Sequence, residues 1–378
     1  MNCIYQNICG GCPLRAMSEA EYRRHKFERF KNIVTRIHQQ NIALGEPIFI
    51  ADGERRRAEL TFQYKKGQII LGFNEAQSHT VIDIQLCPAL SAKLNLILPH
   101  IREFLSNLCQ IKVTQKIKNK FITSNITQGE IWLTEAANGI DVLLEIDEKI
   151  ALEHRMEICD FTNRIPEIIR VCVGKKNSLA ETVAEKVKPH VNIAGREVFI
   201  PAGTFLQAST AGEKALTSLV VKYMGDTTGN IADLFCGVGT FSYPLSCNIK
   251  NKITAIDSSA ELLDSFQKTV NFLMIPNIKI IKKNLFKYPL DADELKNFTA
   301  VVFDPPRAGA AAQVAQIANM NQADKPQKII AVSCNPHTFI NDANQLADNG
   351  YKITEITMAD QFVYAEHFEL VACFEKSL

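Results

Sequence analysis

Residues 233–246 read DLFCGVGTFSYPLS, which is an apolar strand end, a Gly-x-Gly turn and the start of a helix. Gly237 and Gly239 let the backbone turn sharply and approach a ligand with no Cβ in the way. A tight turn alone would account for two glycines, but the next strand, KITAID, adds a second feature. It ends at Asp257, 20 residues beyond Gly237, where a carboxylate can take both hydroxyls of a ribose. The chain has no third glycine at the dinucleotide spacing and no Gly-Lys-Ser/Thr phosphate loop. A nucleoside without a pyrophosphate therefore fits better than NAD or ATP, and S-adenosylmethionine (SAM) is the common ligand of that kind.

Working outward, strands and helices alternate from Asn230: NIADLFC, KITAID, IKIIKKN, TAVVFDPP and KIIAVSC, then YKITEITM and HFELVACF with no helix between them. Five strand–helix units and a terminal hairpin predict an α/β fold, a doubly wound, mostly parallel sheet with one antiparallel strand. Upstream, residues 57–146 alternate like strands around a helical segment near Ser91 to Cys109, and another helix is expected from about Lys149 to Thr162, so this part reads as α+β. We divide the chain at residue 195, with an N-terminal α+β domain over 1–195 and the sheet domain over 196–378.

The chain has 378 residues, 46% hydrophobic and 22% charged, with a net charge of +1, so contact with nucleic acid must come from local basic clusters. Two clusters qualify. The predicted helix from Ser18 to Gln39, with a capping box at Ser18 and Glu21, carries Arg23, Arg24, Lys26, Arg29 and Lys31. A solvated helix face is its ordinary reading, RNA contact the alternative. The other is Arg55-Arg56-Arg57, placed to hold phosphates. The N-terminus shows no secretory leader, and no stretch reaches the roughly 18 uncharged apolar residues of a membrane span. The expectation is a cytoplasmic monomer with no membrane partner.

Two groups of residues carry chemistry. Cys334 ends the strand KIIAVS and precedes Asn335-Pro336, which places it on the rim of the sheet, although a buried inert thiol is the commoner fate of a cysteine. Cys3, Cys9 and Cys12 lie within ten residues, with Cys87 more distant. Such a set can wrap one metal centre, and spacing alone does not separate four-cysteine zinc from iron–sulfur.

The motifs DLFCGVGTF, DPPRAG (304–309), SCNP (333–336), GTFLQ (203–207) and HFE (367–369) occur in an order and spacing that resemble the RNA uracil-5-methyltransferases. The resemblance implies the class I SAM-dependent methyltransferase fold with an N-terminal iron–sulfur and RNA-contacting region. It implies a 4Fe-4S cluster on Cys3, Cys9, Cys12 and Cys87, a pattern of the rRNA enzymes of the family. It makes Cys334 the nucleophile and Glu369 the base, with Glu366 as a rival and His367 structural or RNA-contacting. It places Asp304 between SAM and the target base, and Gln207 and Phe241, together with Gly237, Gly239 and Asp257, around SAM. The chemistry agrees, because carbon 5 of uracil becomes nucleophilic only after a thiolate adds to carbon 6, and a base must then remove the carbon 5 proton. Two positions depart from the family: Gln207-Ala208-Ser209 stands for Gln-x-Asn, and Asn284 for an acidic residue. The chain starts two residues before Cys3, so the β-barrel RNA-binding domain of many relatives is expected to be absent. The closest type is then the barrel-less 23S rRNA enzyme, with a uracil-747-type target. A tRNA T-loop enzyme and a non-catalytic iron–sulfur RNA-binding protein are the alternatives.

Overall fold

The computed structural model describes residues 3–117, 120–176 and 178–377. Its contacts divide the chain into two compact units that interleave along the sequence. The first comprises Met1–Ala16, Ala51–Val191 and Ile200–Ser209, the second Met17–Ile50, Asn192–Phe199 and Thr210–Leu378. The helix Glu19–Val34 thus folds with the C-terminal sheet.

The second unit holds the predicted sheet, whose seven long strands we number β1 (Asn230–Leu234), β2 (Lys252–Asp257), β3 (Ile278–Lys282), β4 (Ala300–Phe303), β5 (Lys328–Ser333), β6 (Tyr351–Asp360) and β7 (Glu369–Lys376). Their spatial order is β6-β7-β5-β4-β1-β2-β3, with the short strands Ala43–Leu44 and Ile48–Phe49 added beside β6. The neighbouring pairs from β3 to β5 are parallel, and β7 runs antiparallel to both β5 and β6. That is the class I methyltransferase arrangement. Strand order reverses between β1 and β4, and ligands of open α/β sheets sit outside the strand ends at such a point.

The strands form because both faces are covered. Leu234, Ile329 and Ala331 point into one apolar core, which Phe30, Val314 and Phe339 complete from three helices. Ile231, Ile330 and Val332 point into the other, against the helix Thr210–Met224. Alternate residues of β5 thus serve opposite layers, and a strand buried on both faces reads as a continuous apolar run.

The first unit has a six-stranded sheet, in the order Glu181–Glu185, Ile168–Gly174, Gly139–Glu145, Gln128–Ala136, Arg57–Lys65, Gln68–Gly72. Its one parallel pair, Gly139–Glu145 with Ile168–Gly174, is bridged by the helix Leu152–Arg164. This helix stacks Phe161 on Phe104 of the helix Ala92–Gln110, ring centroids 4.3 Å apart. Both helices were legible within a few residues, as was the Ser18–Glu21 capping box, which forms.

The turn after β1 is fixed by a close approach. Gly239 has φ +95°, and a Cβ there would lie 2.4 Å from the ring of Phe266, on the helix Ala260–Phe272. Gly239→Ala should therefore cost about 2–4 kcal/mol of stability, the combined scale of left-handed strain and overpacking. Urea unfolding checks this, and an unchanged midpoint would show that the turn relaxes freely.

Candidate active site

The loop from β1 into the helix Ser242–Ser246 turns three times through positive φ, at Phe235 (60°), Gly237 (55°) and Gly239 (95°). Around Gly237 there is open space where a Cβ would stand, room for a ligand to meet the backbone. Asp257, at the end of β2, braces this turn: its carboxylate accepts from the Gly237 N–H at 3.1 Å and from the Ser259 N–H at 2.9 Å. Each oxygen keeps lone-pair capacity for a ribose hydroxyl. Open backbone at Gly237 beside a fixed carboxylate fits SAM.

Asp233, on β1, was not picked out from the sequence. It is fully buried, and its carboxyl is pushed up to about 7 by burial, against the hydrogen bond from the Ser242 hydroxyl at 2.5 Å. Its Oδ1 has no hydrogen-bond partner among the described residues. Phe241 is 2% exposed and packs its ring among Ile231, Leu245 and Ile253, so its side chain serves the core of this unit. Gln207 belongs to the first unit, where its carbonyl accepts from Arg56 Nε at 3.1 Å.

The predicted nucleophile and base are brought together. β5 pairs with β7 up to Ser333 opposite Leu370, so Cys334 and Glu369 are the next residues at the same rim. Cys334 is half-buried, and Asn335 after it caps the helix Pro336–Asp348, its Oδ1 accepting from the His337 N–H at 3.1 Å. The Asn335 amide also donates to the Arg307 carbonyl at 2.8 Å, which ties the DPPRAG loop to the cysteine turn. Glu369 is 3% exposed; its Oε1 accepts from Gln361 Nε2 at 3.0 Å, and its Oε2 has no hydrogen-bond partner among the described residues. The rival Glu366 is half-exposed and paired with Arg29.

Burial dominates the electrostatics. It raises the Cys334 thiol to about 11, helped by Glu369 and Asp304 and opposed by Arg307. It raises the Glu369 carboxyl to about 8, again with Asp304 adding and Gln361 and Arg307 opposing. Burial thus disfavours both the thiolate of Cys334 and the carboxylate of Glu369. Asp304 raises Asp233, Cys334 and Glu369 alike, so its charge reaches both β1 and the rim that carries Cys334 and Glu369. Arg307 and Gln361 were both missed in the sequence; Arg307 was visible inside DPPRAG, whereas Gln361, six residues before HFE, carries no local signal.

Two expectations about charge change. Lys26 is fully buried against Asp360, neither solvated nor open to RNA. Within Arg55-Arg56-Arg57, Arg55 is exposed, Arg56 is 4% exposed, and Arg57 donates to the Leu206 carbonyl and lies over Trp132 and Phe205. Burial and its two arginine neighbours push Arg57 down to about 10, so Arg55 is the arginine of this run that remains open to a phosphate. As for the cysteines, Cys9 and Cys12 each raise the thiol of Cys87, though burial raises it more. Arg15, held by Asp52, donates to the Cys12 sulfur at 3.8 Å. No group of three or more His, Cys, Asp or Glu among the described residues is arranged to hold a metal ion.

Comparison with known proteins agrees with the sheet. The profile of the family described as tRNA (uracil-5-)-methyltransferase matches residues 21–377. An uncharacterized RNA methyltransferase of Agrobacterium fabrum is 32% identical over 97% of this chain and 82% of its own. The 23S rRNA (uracil(1939)-C(5))-methyltransferase RlmD of Vibrio parahaemolyticus is 27% identical over 99% of this chain and 82% of its own. Among solved structures, the Pyrococcus abyssi tRNA (uracil-54, C5)-methyltransferase in complex with S-adenosyl-L-homocysteine superposes with a TM-score of 0.74 at 22% identity, over 96% of this chain and 85% of that one. Asp257→Ala should weaken SAM binding by about 1.5–3 kcal/mol, the scale of hydrogen bonds to a charged group. Calorimetry on the folded variant checks this, and unchanged affinity would remove Asp257 from the cofactor site.

Proposed function

We propose, since the chain belongs to the tRNA (uracil-5-)-methyltransferase family of SAM-dependent RNA methyltransferases, that it methylates carbon 5 of a uridine in 23S rRNA through a covalent bond to Cys334. The carrying observation is the register of β5 on β7, which sets Cys334 beside a buried Glu369 whose Oε2 is uncommitted. Gly237 and Asp257 would hold SAM, which would supply an electrophilic methyl group. Cys334, once deprotonated, adds to carbon 6, which makes carbon 5 nucleophilic toward that methyl group. Glu369, ionised, then takes the carbon 5 proton, and the thiolate leaves. The target uracil must leave its stack to reach a cysteine on this rim.

The rRNA target is supported by the likeness to the Vibrio enzyme, whose name carries uracil 1939, not the 747-type position expected from the sequence. A tRNA T-loop uridine is the second reading, favoured by the family description; 23S rRNA and tRNA transcripts offered as competing methyl acceptors separate the two. For the covalent step, Cys334→Ala should bind RNA and form no adduct with label from methyl-labelled SAM. Glu369→Gln should add, methylate and stall, and so accumulate a labelled protein–RNA band on denaturing gels. Labelled adduct in Cys334→Ala, or none in folded Glu369→Gln, would contradict these roles.

The cysteine loop extends the proposal to a 4Fe-4S cluster on Cys3, Cys9, Cys12 and Cys87, supported by the thiolate donor set, the ligand spacing and the electrostatic proximity of Cys9, Cys12 and Cys87. Its role would be to pin the N-terminal segment, since methylation from SAM needs no electron. Protein purified anaerobically should be brown with about four irons per chain, and Cys87→Ser should bleach it. Stoichiometric zinc without iron would overturn this assignment.

A further inference from the structure

Glu369 opens β7, and the connection that delivers it from β6 runs through residues 361–368. One face of the helix Glu19–Val34 grips that connection through Tyr22, Lys26 and Arg29, whose spacing of four and three places them in one stripe. The Tyr22 hydroxyl donates to the Asp360 carboxylate and accepts from the Tyr364 N–H at 2.9 Å, and the two tyrosine rings lie 4.7 Å apart. Lys26 Nζ donates to Asp360 Oδ1 at 2.9 Å and to the His367 carbonyl at 2.5 Å, and sits 5.7 Å from the centre of the Phe368 ring. Arg29 pairs with Glu366 farther out.

Lys26 and Asp360 are 0% and 1% exposed. Burying an ion pair is costly, and an apolar pair of similar volume is often as stable or more so, so stability alone gives no reason for these residues. What the pair supplies is atomic position. Asp360 is followed by Gln361, which donates to Glu369, and the His367 carbonyl lies two residues before Glu369. Both approaches to the carboxylate are therefore anchored on the same ammonium group. We propose that Tyr22, Lys26 and Asp360 are positioning residues, a buried lock that aims the Glu369 carboxylate at the carbon 5 hydrogen of the substrate.

The inference rests on the reading of Glu369 as the base. In that step the carboxylate takes the hydrogen as a proton, and the C–H electron pair becomes the carbon 5–carbon 6 double bond. The bond from carbon 6 to the Cys334 sulfur breaks, its electrons returning to sulfur. A misplaced carboxylate slows this release and leaves the earlier methyl transfer alone, an asymmetry that a loss of general stability does not produce.

The test is a single-turnover assay with methyl-labelled SAM and a 23S rRNA transcript, or the tRNA transcript if that is the acceptor. It follows label in the denaturation-resistant adduct and in released RNA. Lys26→Met should keep SAM affinity and methyl transfer within about threefold of wild type and slow release at least tenfold, so that adduct accumulates. Because Lys26→Met strands a buried carboxylate, Tyr22→Phe and the doubly neutral Lys26→Met/Asp360→Asn accompany it, and release should slow in both. Glu369→Gln is the control. If it releases product normally, the assignment of the base fails and this inference fails with it. If it stalls while the folded lock variants release like wild type, the lock alone is refuted.

Discussion

Six consecutive residue pairs, from Lys328 with Glu375 to Ser333 with Leu370, hold β7 against β5, and the active-site arrangement depends on that register. Side chains alternate faces along a strand, so a slip of one residue would turn Glu369 away from Cys334 and also move Val371 and Phe374 out of their cores. The apolar packing of the two layers therefore enforces the catalytic geometry. It is set by residues such as Ile330, Val332, Leu370 and Ala372, which are buried in the layers and carry no chemistry.

The switch point between β1 and β4 adds the second half of the site. The β1 turn carries the open backbone at Gly237, the end of β2 carries Asp257, and Asp304 directly follows β4. Asp257 and Asp304 stand at strand ends, where a side chain can leave the sheet without disturbing its packing. In the sheet β4 lies between β5 and β1, so one strand separates the strand that ends at Cys334 from the strand that leads into the Gly237 turn.

Strand-end residues were legible for this reason. A motif such as SCNP or DPPRAG is a local event, an apolar run that stops at a polar residue followed by proline, and sequence reports local events well. Gln361 and Lys26 were not legible, because their roles come from partners far along the chain: Lys26 meets Asp360, and Tyr22 meets Tyr364, across more than 300 positions. In the sequence Lys26 stands among Arg23, Arg24, Arg29 and Lys31, and composition gives no sign which of these cations faces inward. Only the stripe of Tyr22, Lys26 and Arg29 marks it, and an aromatic residue followed by two cations is equally ordinary on an exposed helix face. The same holds for Arg56, buried just before the strand Arg57–Lys65, and for Arg57, since nothing local shows that Phe205 and Trp132 cover it.

The charges at the rim carry their own logic. Glu369 and Asp304 raise the cost of ionising Cys334, Asp304 raises that of Glu369, and Arg307 is the cation that eases both Cys334 and Glu369. With so little compensating charge, the thiolate and the Glu369 carboxylate oppose each other, and the ionisation of one disfavours that of the other. On the proposed pathway they are never needed together. When the thiolate adds to carbon 6, its charge passes to the uracil ring, and methyl transfer from a sulfonium then neutralises the adduct. At that point the anion that opposed Glu369 is gone, so the carboxylate ionises most easily in the step where it must accept the carbon 5 proton. On that pathway the burial that disfavours both anions is compatible with the two ionisations falling in different steps.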